Sequence, residues 1–363
     1  MRVAILARGM RRAGGVGRLI TGYVRSLPKA SPRDEFFVLT DEALEGRDRQ
    51  ANVEEVLLGK ANPAVFDHIQ VPQAVRRISP DVFLATKNTV PLGLKCPVVC
   101  VFLDLAYFAM AQAYPLSDTI YARAMLKRSG RAAARIIAVS QSTRNDIAKF
   151  LGPKAVEKTR VVYSGVGEPF RVFDREEKAQ ARMMLGTLPE RFILYAGNIS
   201  PRKNVRKLIE AFSGLAPGVG LVLTGHREWK SPDLARTIEE VSSTREITVL
   251  GGLPDENMAG LYNAAEISVY PSLYEGFGFP VLESFACGTP VAASNATSIP
   301  EVAGDAAVLF DPMETKDIEA AMDRLLSDEG LRREMRERGL RRAAEFNWQR
   351  TAEMVLDVLR EVA

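Results

Sequence analysis

Residues 267–294 read ISVYPSLYEGFGFPVLESFACGTPVAAS. The run from Ile267 to Tyr270 is short, apolar and β-branched, which predicts a buried strand of a parallel sheet. Gly276 and Gly278 interrupt the pattern that follows, and two glycines this close allow the backbone to approach another group closely. Pro280 then suits the first turn of a helix. The stretch therefore predicts a strand, a glycine-rich loop and a helix, in that order.

This predicted loop has the features of an anion-binding site. A helix that begins at the carboxyl end of a parallel strand directs its N–H groups and the positive end of its dipole into one crevice. Glu275 lies in the loop and Glu283 in the helix. Carboxylates beside an anion site are suited to accept hydrogen bonds from sugar or ribose hydroxyls. Alternatively, Glu283 complements the helix N-terminus and Glu275 is a surface charge.

Between residues 275 and 291 the sequence reads EGFGFPVLESFACGTPV. This pattern resembles the E-x7-E signature of retaining glycosyltransferases of the GT-B fold, family 4 (glycosyltransferase group 1). The resemblance implies an α/β fold of two doubly wound Rossmann-like domains that face a central cleft, with the donor held mostly by the second. It also implies that Glu275 contacts the donor hexose and Glu283 the ribose. The glycine loop implied to bind the nucleotide sugar comprises Gly276, Phe277, Gly278 and Phe279.

Length and composition indicate a globular protein with more than one core. A chain of 363 residues suits two domains, and 47% hydrophobic with 26% charged residues is an ordinary composition. The apolar run at the N-terminus is too short for a secretory signal, and no stretch reaches the roughly 20 apolar residues of a membrane span. The three cysteines lack disulfide or zinc spacing. We therefore expect a cytoplasmic protein.

The charge is distributed unevenly along the chain. Residues 1–168 carry 25 Lys and Arg against 15 Asp and Glu, whereas residues 169–363 carry 23 against 30. Several basic residues are spaced as on one helix between residues 118 and 135, namely Arg123, Lys127, Arg128, Arg131 and Arg135. A solvated helix face is one interpretation. The other is peripheral contact with an anionic membrane, at the inner face of the plasma membrane, or with a lipid-phosphate acceptor. Nucleic acid is not expected as a partner.

The order of apolar runs and helical patterns predicts where the domains divide. Residues 1–168 alternate short apolar runs with amphipathic helices, as in an α/β domain with a mostly parallel sheet. The glycine- and proline-marked segment 163–170 resembles the interdomain hinge of the family. We predict an acceptor-side domain over 1–168 and a nucleotide-sugar domain over 169–345. By resemblance, a last helix within 346–363 crosses back to the first domain.

Two loops of the first domain contain candidate site residues. The loop after the first predicted strand holds Gly15 and Gly17, and it resembles the family's first glycine loop near the donor diphosphate. A plain tight turn is the alternative. Asp104 follows a later strand and could orient an acceptor hydroxyl or cap a helix. Many relatives have His-Asp at this place, whereas here the pair is Leu103-Asp104, and leucine neither donates nor accepts a hydrogen bond.

The second domain begins with a buried strand that Gly197 follows. Arg202 and Lys203 come next, where a helix is predicted to begin. Helix N-termini disfavour cations, so two cations there suggest that an anion binds nearby. Their chemistry suits a diphosphate leaving group, and the R-K-N sequence resembles a motif of the family. By resemblance, the segment from Val249 to Leu253 lies against the nucleotide base.

These patterns predict transfer of a hexose from a nucleotide-diphosphate sugar to a hydroxyl of a glycan or lipid-linked acceptor, with retention of configuration. Arg202, Lys203, Glu275 and Asp104 are the predicted catalytic residues. We expect neither a metal nor a cofactor. The wording most resembles bacterial mannosyltransferases that use GDP-mannose, while UDP-, ADP- and dTDP-sugars stay open. The alternatives of other kinds are a sugar-nucleotide epimerase, a non-catalytic sugar-nucleotide-binding subunit and a nicotinamide dehydrogenase.

Overall fold

The chain forms two compact units in a computed structural model that describes residues 1–11, 14–226 and 232–363. The first unit contains Met1–Gly165 together with Asn347–Ala363, and the second contains Val166–Phe346. Each unit is built on its own parallel sheet. Most strands are buried along nearly their whole length, as expected for parallel strands covered on both faces.

Within the described residues, the sheet of the first unit has seven strands: β1 (Arg2–Leu6), β2 (Glu35–Thr40), β3 (Val53–Leu57), β4 (Val82–Ala85), β5 (Val98–Phe102), β6 (Arg135–Ala138) and β7 (Thr159–Val161). They lie in the order β3-β2-β1-β4-β5-β6-β7, and all neighbours are parallel. The helices between them are α1 (Gly15–Ala30), α2 (Pro63–Val65), α3 (Val71–Ile78), α4 (Ala106–Ala109), α5 (Leu116–Ala132), α6 (Gln141–Leu151) and α7 (Pro153–Glu157). A π-helical turn, Phe66–Gln70, joins α2 to α3.

The sheet of the second unit has six strands in the part of the chain that is described: β8 (Phe192–Ala196), β9 (Gly220–Thr224), β10 (Ile247–Leu250), β11 (Ile267–Tyr270), β12 (Val291–Ser294) and β13 (Ala307–Phe310). Their order is β10-β9-β8-β11-β12-β13, again all parallel. The helices are α8 (Arg175–Met184), α9 (Val205–Ser213), α10 (Pro232–Ser242), α11 (Asp255–Ala264), α12 (Phe279–Ala286), α13 (Ile299–Ala303), α14 (Thr315–Ser327) and α15 (Glu329–Ala344).

Alternate residues of the second sheet face two separate cores. Ile193 and Tyr195 of β8 point into a core closed by α9 and α14. Phe192 and Leu194 of the same strand point to the opposite core, which contains residues of α11. This alternation follows from the two-residue repeat of a β-strand. It accounts for the continuous apolar run in the sequence of β8.

A last helix, α16 (Trp348–Arg360), belongs to the first unit although it is far from the other elements in sequence. It packs on α1, where the indole of Trp348 lies edge-on to the ring of Tyr23 and covers Gly22. Near its end, Glu361 forms an ion pair with Arg135 at 2.6 Å. The C-terminal segment therefore completes the core of the first unit.

The predicted α/β class with two Rossmann-like parallel sheets is confirmed. One detail of the sequence analysis is wrong. Arg135 was grouped with a basic helix, but α5 ends at Ala132 and Arg135 is the first residue of β6. The error arose because three- and four-residue spacings continue by chance past the end of the helix.

Candidate functional site

The candidate site of the second unit lies where the strand order of its sheet reverses. β9 and β10 lie to one side of β8, and β12 and β13 lie to the other side of β11. In open α/β sheets, ligands bind outside the carboxyl ends of the strands at this switch point. The two loops that leave β8 and β11 are tied together there, because Leu273 donates its N–H to the carbonyl of Arg202 at 2.8 Å.

Arg202 and Lys203 occupy a short 3₁₀ turn, Pro201–Lys203, immediately before α9. Asn204 follows in the left-handed region at φ 58°, and its side-chain amide donates to the carbonyl of Pro312 at 2.7 Å. The carboxyl end of the turn is thereby fixed. Lys203 is buried, whereas the side chain of Arg202 keeps about a fifth of its surface exposed (22%).

The structure brings three of the predicted catalytic residues into one cluster. Arg202 donates to one carboxylate oxygen of Glu275 at 3.0 Å, and Lys203 donates to the other. Two cations and one carboxylate leave these three side chains with a net positive charge. Such a charge at a sheet switch point favours binding of an anion.

Tyr270, the last residue of β11, contacts two members of this cluster through its hydroxyl group. Its hydroxyl donates to Glu275 at 2.8 Å and accepts from the ammonium of Lys203 at 2.7 Å. From its sequence context Tyr270 was predicted only as a buried residue of the strand. Its role in the site could have been predicted, because Tyr270 ends its strand at the edge where ligands bind and a buried tyrosine hydroxyl usually needs a polar partner.

Burial of Glu275 by itself raises the pKa of its carboxyl group. The charges of Lys203 and Arg202 more than offset this effect, so that the pKa is lowered to about 2. Glu275 is therefore ionised at neutral pH. Burial and the neighbouring carboxylate together raise the pKa of Tyr270 well above its ordinary value, so its hydroxyl keeps its proton.

Two residues that directly precede α13, Thr297 and Ser298, form hydrogen bonds with the backbone of the glycine loop. Thr297 Oγ1 lies 3.0 Å from the backbone N–H of Glu275, which donates to it. The hydroxyl of Ser298 donates to the carbonyls of Glu275 and Phe277, at 3.0 and 2.6 Å. These side chains, which were not predicted as site residues, fix the backbone of the loop.

Gly278 ends the loop with φ +134° and is the N-cap of α12. Phe277 and Phe279 are buried, with their rings 5.1 Å apart. Their side chains thus belong to the core, so a ligand at this place would meet the backbone of the loop and the first turn of α12. The first N–H groups of a helix have no partner within the helix.

Glu283, in the second turn of α12, is 1% exposed. The hydroxyl of Tyr262 donates to one of its carboxylate oxygens at 3.1 Å. Tyr262 lies on α11 and was not predicted as a site residue. The fold therefore orients the Glu283 carboxylate through a neighbouring helix.

The loops after β8, β9 and β10 are joined to one another. Gly197 has φ +154° and donates to the carbonyl of Thr224. The hydroxyl of Thr224 donates to the carbonyl of Gly251 at 2.9 Å. Val249 lies on the edge strand β10 and is partly exposed, while Leu253 packs against the core beneath α11.

Two family comparisons together span most of the chain. Residues 184–342 match the family described as Glycosyl transferases group 1, and residues 13–167 match the family described as Glycosyltransferase Family 4. O-antigen chain mannosyltransferase B of Escherichia coli is 34% identical over 257 residues, which are 69% of this chain and 67% of that protein. This chain belongs to the group 1 glycosyltransferases.

Other relatives of this glycosyltransferase are matched over less of their own length. Serotype-specific mannosyltransferase WbdA of Escherichia coli is 32% identical over 71% of this chain, but the match spans 33% of WbdA. MMP alpha-(1->4)-mannosyltransferase of Mycolicibacterium hassiacum is 32% identical over 64% of this chain and 56% of that protein.

Solved structures share the fold along nearly the whole chain. Sucrose-phosphate synthase from Thermosynechococcus elongatus has a TM-score of 0.80 at 18% identity, covering 99% of this chain and 98% of that one. WaaG, a glycosyltransferase involved in lipopolysaccharide biosynthesis, has a TM-score of 0.77 at 17% identity, covering 99% of each chain. The glycosyltransferase therefore has the predicted GT-B fold.

The predicted residues of the first unit of this glycosyltransferase lie at the carboxyl edge of its own sheet. Gly15 is the first residue of α1, and Gly17 is buried in its first turn. Arg12 and Ala13 of the same loop lie outside the described residues. Asp104 follows β5, and its carboxylate accepts from the N–H of Ala106 at 3.1 Å. Asp104 lies one residue before Leu105, the N-cap of α4, so it accepts from the first N–H of that helix without being its N-cap.

Asn88, which follows β4, fixes the backbone around Asp104. Its side-chain oxygen accepts from the N–H of Leu103 at 2.7 Å, and its amide donates to the carbonyl of Asp104 at 3.1 Å. Asn88 was not predicted as a site residue. Asn88 lies next to Asp104 because β4 and β5 are neighbours in the sheet. This proximity could be predicted only once the strand order was known.

Among the described residues, no helix is long and apolar enough to span a membrane. In the same part of the chain, no group of three or more His, Cys, Asp or Glu residues is arranged to hold a metal ion.

Proposed function

We propose that this glycosyltransferase moves mannose from GDP-mannose to a hydroxyl of a glycan or lipid-linked acceptor, with retention of the α configuration. It would be a cytoplasmic, family 4 hexosyltransferase of cell-surface polysaccharide or glycolipid synthesis. The names of its relatives support this choice, since several are mannosyltransferases and one is named for the O-antigen chain. The structurally similar HepE of Anabaena forms a crystalline complex with UDP-glucose, so donors with UDP, ADP or dTDP stay as alternatives.

The observation that carries the proposal is the cluster of Arg202, Lys203 and Glu275 at the switch point of the second sheet. Transfer of a hexose from a nucleotide diphosphate builds negative charge on the departing diphosphate. Cations that are already in place stabilise such charge without reorganising, and this effect is usually the largest in catalysis. Arg202 and Lys203 would take this role, and the backbone of the loop and of α12 would add N–H donors.

The low pKa of Glu275 limits what its carboxylate does chemically. A group with a pKa of about 2 is a weak base at neutral pH and does not remove a proton from an acceptor hydroxyl. It is suited to accept hydrogen bonds from the hexose hydroxyls and so to orient the sugar. Glu283 would accept hydrogen bonds from the ribose in the same way.

The proposed step balances without a metal or cofactor. The bond between the anomeric carbon and the β-phosphate oxygen breaks, and a bond from the acceptor oxygen forms on the same face of the sugar. The acceptor proton passes to the departing phosphate oxygen. Asp104 would orient the acceptor hydroxyl. Gly15, Gly17, Gly197, Val249 and Leu253 are proposed as contacts of the nucleotide sugar.

Calorimetric binding of GDP, UDP, ADP and dTDP tests this proposal, with wild type compared to Lys203→Ala and Glu283→Ala. We expect GDP to bind best and both variants to weaken it. Another nucleotide that binds best would reassign the donor. No binding of any nucleotide would remove the site. Binding of GDP without mannosyl transfer to any O-antigen-type acceptor would favour a non-catalytic sugar-nucleotide-binding subunit.

We also propose that α5 contacts an anionic membrane surface. Three large apolar side chains in its first turns are strongly exposed, namely Leu116 at 75%, Ile120 at 62% and Tyr121 at 58%. Lys127 and Arg131 follow on the exposed side of the same helix. Exposed apolar side chains favour insertion at a membrane interface, and exposed lysine and arginine beside them favour attraction to anionic lipids.

Not every basic residue of α5 is available for this contact. Arg123 donates to the carbonyl of Tyr107 at 2.8 Å, and Arg128 donates to the carbonyl of Val90 at 2.7 Å. Replacing either one would disturb the packing of α5 as well as its charge. Lys127 and Arg131 are therefore the appropriate residues to change.

Sedimentation with vesicles that contain an anionic lipid tests this contact. We expect Ile120→Ser and the pair Lys127→Glu/Arg131→Glu each to reduce binding. The pair Lys60→Glu/Arg77→Glu makes the same change in net charge at exposed positions elsewhere in the first unit, and it should bind like wild type. If both charge-reversal variants lose the same amount of vesicle binding, the binding depends on net charge alone and not on α5. Binding unchanged by Ile120→Ser would argue against insertion of the apolar end.

A further inference from the structure

A second candidate site lies at the opposite edge of the second sheet. A cavity of about 200 Å³ opens beside the amino ends of β11 and β12. Its walls come from α8, from the turns that precede these two strands, and from α15. The cluster of Arg202, Lys203 and Glu275 lies at the carboxyl ends of the strands, so the cavity is distinct from the proposed donor site.

The walls of this cavity are rich in cations. Lys178, Arg332, Arg333 and Arg336 line it, together with the carboxylates of Glu266 and Glu329. Glu266 is already engaged, because Arg191 donates to both of its oxygens at 2.7 Å. Positive charge therefore exceeds the negative charge that is available to balance it.

Lys178 and Arg336 are the two cations whose arrangement indicates a ligand. Within the described residues, neither forms an ion pair with a carboxylate. Arg336 donates one N–H of its guanidinium to the carbonyl of Gly288 at 2.7 Å, which leaves its other N–H groups for a further acceptor. Gly288 allows this approach, since a Cβ atom there would lie 2.7 Å from the guanidinium.

The two cations are close enough to act on each other. Burial lowers the pKa of Lys178, and the charge of Arg336 lowers it further. Two partly buried cations that repel each other are stabilised when an anion binds between or beside them. Arginine and lysine together suit the tetrahedral oxygens of a phosphate group, the first as a fork of donors and the second as a point charge.

We propose that this cavity is a binding site for a small phosphate-class oxyanion, held by Lys178 and Arg336. The cavity has room for several water molecules, and therefore for a phosphate group in their place. Arg336 also contacts the backbone just past the C-terminus of α12, the helix that begins at the glycine loop. An anion bound to Arg336 would thus act on one end of α12, while the proposed donor site lies at the other.

Titration of the full chain with inorganic phosphate at constant ionic strength tests the proposal by calorimetry. The Arg202→Gln/Lys203→Met/Glu275→Gln variant serves as the reference protein, because it lacks the cations that would bind phosphate at the donor site and leaves no buried carboxylate without its ion pairs. We expect phosphate to bind this reference. Adding Lys178→Gln should weaken the binding about tenfold, as loss of a charge-assisted hydrogen bond would. Adding Arg341→Gln, an exposed change on α15 outside the cavity, should leave it unchanged.

Arg336→Lys keeps the positive charge but removes the fork of N–H donors. It therefore tests whether phosphate binding needs the guanidinium geometry in addition to the charge. We expect it to weaken phosphate binding while circular dichroism and the melting temperature remain those of the reference. Phosphate binding that is unaffected by both Lys178→Gln and Arg336→Lys would overturn the proposal, as would the absence of phosphate binding to the reference. Both outcomes are independent of whether wild type binds GDP, so they leave the proposed function untouched.

Discussion

At the scale of single residues, the position of the Lys203 ammonium depends on the hydroxyl of Tyr270 beneath it. Tyr270→Phe removes this oxygen but keeps the ring and the direct ion pair between Lys203 and Glu275. We expect the turnover rate of mannosyl transfer to fall about tenfold with little change in the KM for the donor, because Lys203 acts mainly on charge that develops in the transition state. Steady-state kinetics with Tyr121→Phe, the same change on an exposed residue, provide the control, and a water-soluble acceptor is used so that the proposed membrane contact of α5 takes no part. A rise in KM alone would contradict this role for Tyr270.

The lowered pKa of Glu275 makes the folded chain more stable at neutral pH than in acid. Its pKa is lowered from 4.5 to about 2 in the folded chain, so its ion pairs stabilise the fold above pH 4.5 and are lost as the pH falls toward 2. The contribution is on the order of 3 kcal/mol. Glu275→Gln should melt well below wild type at pH 7, and the difference should shrink between pH 5 and 3. A difference that stays constant with pH would contradict this assignment.

At the scale of elements, Gly278 joins the loop to α12 in a backbone conformation that other residues rarely adopt. A Cβ atom there would also lie 3.0 Å from the side chain of Ile299. We expect Gly278→Ala to destabilise the second unit by about 1–3 kcal/mol and to weaken nucleotide binding. Gly59→Ala adds the same atom at an ordinary φ in the first unit, with its nearest neighbour, the Gln70 side chain, 3.7 Å away, and should change both quantities little. Thermal melts and calorimetry of the two variants measure the contrast.

The sequence predicted this loop and helix well because its signals are local. Two glycines, a proline at the start of α12 and the apolar β11 each act within a few residues. The partners that fix the loop could not be predicted in this way. Ser298 and Tyr262 reach the loop and Glu283 from elements 21 residues away in the chain, and their contacts exist only after β12 and α11 have packed. Arg135 was misplaced for the converse reason, since helical spacing alone does not mark where a helix ends.

At the scale of the whole molecule, the first unit is closed by a helix from the other end of the chain. The indole of Trp348 covers Gly22 so closely that a Cβ atom on Gly22 would lie 2.2 Å from the ring. In an isolated helix, Gly→Ala stabilises by about 1 kcal/mol. Here we expect Gly22→Ala to destabilise the protein by about 1–3 kcal/mol, as overpacking does.

A double-mutant cycle with Trp348→Leu separates this contact from helix propensity. Leucine removes the ring that the new methyl group would meet, so Gly22→Ala should be neutral or stabilising in that background. Denaturant unfolding of the four proteins measures the coupling between the two sites. Additive effects would mean that α1 and α16 do not depend on each other at this point. A coupling of the expected sign would establish that the two ends of the chain form one cooperative core.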